Sequence, residues 1–147
     1  MLGRMSRIGK SIQDLIIGEK LSITEKIEDK DILLYLGLTN DNNPLYIQHD
    51  FASKTEYEKP IVPTIMLTGI VTSAISKYLP GPGSHVYRQE ITFPVPAYHY
   101  SLITFTFVIT DINVHKNEVS IEVEGRNEEK ETVLQGKFLV APPTLQP

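Results

Sequence analysis

Residues 61–84 read IVPTIMLTGIVTSAISKYLPGPGS, and this stretch decides the fold. Pro63 suits a helix start, where the N–H it lacks would have had no partner. From about 64 to 79, Ile65, Met66, Leu67, Ile70, Val71, Ala74, Ile75 and Tyr78 cover much of a helical circumference. A helix apolar on most sides is a buried one. The run LPGPGS then breaks it. Four strand-like segments follow, at 84–93, 101–112, 117–126 and 131–141, each partly alternating and rich in β-branched or aromatic residues. The polar links 113–117 and 127–130 read as hairpin turns. A sheet of this kind needs a cover for its apolar face, and the helix at 64–79 is the available one. The expected class is therefore α+β: a curved antiparallel sheet, its last four strands a meander, wrapped around a long central helix.

Towards the N-terminus, residues 20–27 (KLSITEKI) alternate as a short strand. Residues 29–38 place Ile32, Leu33 and Leu36 at helical spacing, with Asp29 as the expected N-cap. TNDNNPL, residues 39–45, is a loop, because Asn and Asp tolerate unusual backbone angles and Pro44 restricts Asn43. Residues 49–57 have room for one or two helical turns. The tail PPTLQP is expected to fray. Length gives one domain over 1–147, with about 1–14 and 142–147 peripheral.

The 147 residues include 41% hydrophobic and 22% charged side chains, enough for a core without staples. A net charge of −4 disfavours nucleic acid as the main partner. With no cysteine there are no disulfides, thiolate nucleophiles or zinc–thiolate sites. No His, Asp and Glu spacing points to a metal, so none is expected. The Gly81–Gly83 run lacks the Lys-Ser/Thr of a phosphate-binding loop. The apolar stretch 61–79 contains Pro63, several hydroxyls and Lys77, which argues against a membrane span. The first twenty residues lack the apolar run of a signal peptide, so the expected location is cytoplasmic.

The string Leu38-Thr39-Asn40-Asp41-Asn42-Asn43-Pro44-Leu45-Tyr46 resembles the hydratase motif of the MaoC-like, (R)-specific enoyl-CoA hydratase family, Leu-Thr/Ser-Gly-Asp-x-Asn-Pro-Leu-His. The likeness continues through Phe51-Ala52, Glu58-Lys59-Pro60-Ile61-Val62 and Met66-Leu67. It extends to Leu79-Pro80-Gly81-x-Gly83-Ser84 and Ile91-Thr92-Phe93-x-x-Pro96, covering roughly residues 15–140. The resemblance implies a hotdog fold. It also implies reversible hydration of a trans-2-enoyl thioester, carried by CoA or an acyl-carrier protein, to the (R)-3-hydroxyacyl form without a cofactor. A dimer, with itself or with another hotdog subunit, is implied as well.

In the family an Asp and a His hold the attacking water, a task suited to their proton affinities. An N–H at the start of the central helix, from the Gly of a His-Gly pair, stabilises the enolate oxygen. Carried over, the Asp falls on Asp41 and the Asn on Asn43, both retained. The His falls on Tyr46, the following acid on Gln48, the His-Gly pair on Pro63-Thr64, and the Gly before the Asp on Asn40. Tyrosine is a poor base near neutrality, its ordinary pKa being about 10, although it can hold a water. Thr64 keeps an N–H but adds a side chain, and Ile65 follows it at the same helix start.

Two functional classes therefore stand. One is a hydratase with Asp41 as base and Tyr46 in the histidine's place. The other is a non-catalytic acyl-thioester binder, or the inactive partner of a catalytic subunit. Residue types alone nominate Lys54, Lys59, Lys77 and Arg88 for CoA phosphates and His49 as a substitute histidine. His85, His99 and His115 read as surface or half-buried polar groups.

Overall fold

The computed structural model describes residues 8–145. In chain order the elements are β1 (Lys20–Lys26), α1 (Asp29–Thr39), α2 (His49–Ala52), α3 (Thr64–Lys77), β2 (His85–Thr92), β3 (Leu102–Asn113), β4 (Glu118–Arg126) and β5 (Thr132–Ala141). Short 3-10 turns lie at Ile12–Asp14 and Pro44–Tyr46.

The strands form one antiparallel sheet in the order β1-β3-β4-β5-β2. This corrects the expected meander. The hairpins β3–β4 and β4–β5 are present, but β2 does not pair with β3. The segment between β2 and β3 contains Pro94 and Pro96 and is too long for a tight hairpin, so it crosses the fold. The vacated place beside β3 is taken by β1, with Ile23 opposite Phe105.

The inward face follows from alternation. Along β3, Ile103, Phe105, Phe107 and Ile109 are buried while Leu102, Thr104 and Thr106 face out. They meet Val119, Ile121 and Val123 of β4, Phe138 and Val140 of β5, and Leu67, Val71, Ala74 and Ile75 of α3 in one cluster. Fully burying a side chain of this kind is worth about 1.5–3 kcal/mol. Gly125 sits opposite Phe105, and a Cβ there would meet the ring at 2.9 Å, so the missing side chain makes room for the aromatic.

The central helix is less enclosed than its composition implies. Ile65 is 54% and Tyr78 57% exposed, because the sheet covers only the side that carries Leu67, Val71 and Ile75. The N-cap of α1 is Glu28, not Asp29. Glu28 and Asp31 form a capping box, in which Asp31 accepts from the Glu28 N–H at 2.9 Å.

Of the segments expected to be peripheral, 1–7 and 146–147 lie outside the described residues, and the described parts carry specific contacts. Gly9 and Lys10 donate backbone hydrogen bonds to Pro82 and Pro80, each at 2.8 Å, and Ile12 enters the core. Pro142 and Pro143 are buried, and the Asn117 amide donates to the Pro142 carbonyl at 2.9 Å. Among the described residues no helix is long and apolar enough to cross a membrane.

Candidate functional site

Helix α1 ends at Thr39, and Asn40 takes up left-handed angles, φ 57° and ψ 28°. Asn is among the few residues that adopt this region readily. The reversal folds Asp41 back over the last helical turn. There the carboxylate gains two donors: Oδ2 accepts from the Tyr35 hydroxyl at 3.2 Å, and Oδ1 accepts from the Asn43 N–H at 3.1 Å. An ionised carboxylate has about four acceptor positions, so half of this capacity stays open. Asp41 is half-buried, which keeps those positions within reach of water.

The next turn is fixed in the same way. Asn43 accepts from the Leu45 N–H at 3.1 Å through its side-chain oxygen and caps the 3-10 turn that Pro44 begins. Tyr46 closes the turn, and its ring packs against the core. Its carbonyl accepts from His99 Nε2 at 2.9 Å, while His99 Nδ1 lies 2.7 Å from Asp29 Oδ1. The hydroxyl that meets Asp41 is that of Tyr35, not of Tyr46.

The second group of nominated residues lies at the head of α3. Pro63 is the N-cap and is buried; Thr64 and Ile65 follow and are exposed. N–H groups in a first helical turn have no intrahelical acceptor, so this end can receive an anion. Thr64 and Ile65 line a groove of about 300 Å³ with Thr68, Gln89, Ile91 and Phe93. One backbone hydrogen bond, from Ile61 N–H to the Leu45 carbonyl at 3.2 Å, ties the Asp41 turn to this entry strand. A second, from Val62 N–H to the Ala97 carbonyl at 2.8 Å, ties the entry strand to the loop before β3. Asp41, Asn43 and Tyr46 are thus brought together on one turn. Pro63, Thr64 and Ile65 are brought together at one helix end, connected to that turn through the Ile61–Leu45 hydrogen bond.

The remaining nominees are scattered. His49 lines a cleft of about 120 Å³ with Asp29, Ile32, Leu33, Ile47 and His99. Lys59 stands 4.8 Å from the ring centre of Tyr98, a cation–π contact. Arg88 lies 3.6 Å from Glu90 on β2. Lys77 is at the far end of α3 from Thr64, and Lys54 is exposed.

Two residues of this region carried no sequence signal as site residues. His99 is 53 positions from the carbonyl that it holds. Tyr35 lies unremarked inside the 29–38 helical run, and only the left-handed turn at Asn40 returns Asp41 to it. Desolvation, then the hydrogen bond to Asp41, pushes the Tyr35 phenol above its ordinary value.

Comparison with known proteins comes down on one architecture and one family. Residues 15–133 match the family described as MaoC like domain. An (R)-specific enoyl-CoA hydratase of Rhodospirillum rubrum is 28% identical over 108 residues, 74% of this chain and 75% of the relative. One from Aeromonas caviae is 27% identical over 106 residues, covering 72% and 79% respectively. The solved (R)-hydratase of A. caviae superposes with a TM-score of 0.85 at 24% identity, over 89% of this chain and 99% of the other. The shared architecture is the hotdog fold.

Proposed function

The chain belongs to the MaoC-like domain family, and from that premise we propose that it hydrates trans-2-enoyl thioesters to (R)-3-hydroxyacyl thioesters, with Asp41 as the base. The observation that carries this reading is the Asp41 carboxylate, oriented from both sides and tied through Leu45 and Ile61 to the open head of α3. The two hydratases of R. rubrum and A. caviae support the substrate class.

In the forward direction, one O–H bond of water breaks toward the Asp41 carboxylate. The water oxygen bonds to the β-carbon. The π electrons pass to the thioester as an enolate, and its α-carbon takes the proton. The Thr64 N–H is the donor for the enolate oxygen, with Pro63 fixing the helix entry and Ile65 lining the acyl path. Asn43 holds the turn, and the Tyr46 hydroxyl takes the histidine's part in holding the water. No step requires a cofactor.

The partner is a CoA or carrier-protein thioester in a cytoplasmic setting. The unpaired edge of β2 and the exposed Ile65 fit burial against a second hotdog subunit, of the same chain or another.

The test is the absorbance of the conjugated enoyl thioester when purified protein meets short-chain trans-2-enoyl-CoA. The expected result is a decay that Asp41→Asn abolishes while the fold is retained. A decay indifferent to Asp41 would overturn the assignment. Saturable binding without decay would point instead to the non-catalytic binder.

A further inference from the structure

The family's second catalytic position is a tyrosine here, yet its hydroxyl does not reach Asp41. Another phenol does. The Tyr35 hydroxyl donates to Asp41 Oδ2 at 3.2 Å, six residues back along the chain. Resting on the hydratase reading above, we propose that Tyr35 is a positioning residue for the reaction, holding the plane of the Asp41 carboxylate so that its unshared lone pairs face the water.

Three observations bear on this. First, the backbone around Tyr35 is locked to the same turn. Thr39 Oγ1 donates to the Tyr35 carbonyl at 2.8 Å and accepts from the Asp41 N–H at 3.3 Å, so Tyr35 and Asp41 share one bracket. Second, the two carboxylate oxygens are held by different elements, Oδ2 by helix α1 and Oδ1 by the Asn43 N–H of the following turn. A carboxylate gripped at one oxygen can rotate about its Cβ–Cγ bond; gripped at both, it cannot. Third, desolvation, then the hydrogen bond to Asp41, opposes ionisation of the Tyr35 phenol, so its hydroxyl stays protonated and remains a donor.

A base displaced by an ångström loses on the order of a hundredfold in rate, which gives the contact its catalytic weight. The hydroxyl touches the base, not the substrate, so its loss should appear in turnover and not in binding.

The test compares wild type, Tyr35→Phe and Asp41→Asn on trans-2-enoyl-CoA. Phenylalanine keeps the ring and removes one oxygen. The expected result is a kcat about tenfold to a hundredfold lower in Tyr35→Phe, with KM unchanged. An unchanged kcat in Tyr35→Phe, beside an inactive Asp41→Asn, overturns the role of Tyr35 and leaves the hydratase reading standing. A separate measurement needs no turnover. With ¹³Cζ-labelled tyrosine, the Tyr35 phenol should titrate above the ordinary tyrosine range in wild type and lower in Asp41→Asn. Identical titration in the two proteins overturns the contact, whether or not the wild type hydrates anything.

Discussion

His99 holds Tyr46 by its backbone. Nε2 of the imidazole donates to the Tyr46 carbonyl at 2.9 Å, and Nδ1 of the same ring lies 2.7 Å from Asp29 at the start of α1. One side chain from the loop before β3 therefore braces both ends of the segment that carries Asp41. The imidazole is only 14% exposed, so these bonds are shielded from water on most sides. Removing it leaves a partly buried carbonyl without its donor, at a cost of about 1–3 kcal/mol. His99→Ala is expected to lower the denaturant midpoint accordingly and to reduce hydration with it. A variant that unfolds at the wild-type midpoint would show that the brace carries no load.

Tyr46 invites a different substitution. Its ring packs against the core, while its hydroxyl makes no bond to Asp41. Tyr46→Phe therefore separates packing from chemistry. If the hydroxyl holds the reacting water, turnover should fall by about a hundredfold or more, within the range of a positioned acid–base group. The melting temperature should stay where it is. Full activity in Tyr46→Phe would remove this residue from the mechanism.

The sheet offers a stability test independent of the site. Gly136 on β5 faces β2, and a Cβ there would stand 2.5 Å from the Glu90 carbonyl oxygen and 3.1 Å from Ile91 Cα. Both neighbours are backbone, so neither can swing aside. Gly136→Ala should cost about 1–3 kcal/mol, as overpacking does. Because β2 is an edge strand, hydrogen exchange should quicken in β2 before it does in β3 or β4. Uniform protection across the sheet would contradict this.

What the sequence made legible divides along physical lines. Periodicity exposes an element because it is local, and so helix α3 and strands β2 to β5 lie within two residues of where Ile65–Tyr78 and the alternating runs put them. The order of strands is not local. Nothing in His85–Thr92 says that its neighbour is Thr132–Ala141, since that pairing depends on how the proline-bearing segment after Phe93 crosses the fold. The same distinction governs the site. Asp41 and Asn43 announce a fixed turn, because their side chains bond to backbone two residues on, and Pro44 restricts the residue before it. Tyr35 and His99 stayed silent, since one contact needs the reversal at Asn40 and the other spans 53 positions.

Every residue assigned to the reaction, apart from Tyr35, falls between Asp41 and Ile65, and that stretch contributes no strand to the sheet: its isolated bridge, Ile61 to Tyr98, goes to the loop before β3. Chemistry and framework are thus written on separate pieces of chain. The interval works as a cassette with two natural splice points, the left-handed turn at Asn40 and the first turn of α3. Tyr46 can be exchanged for histidine, or the interval grafted from a relative, without rewriting one rung of the β-sheet beneath it.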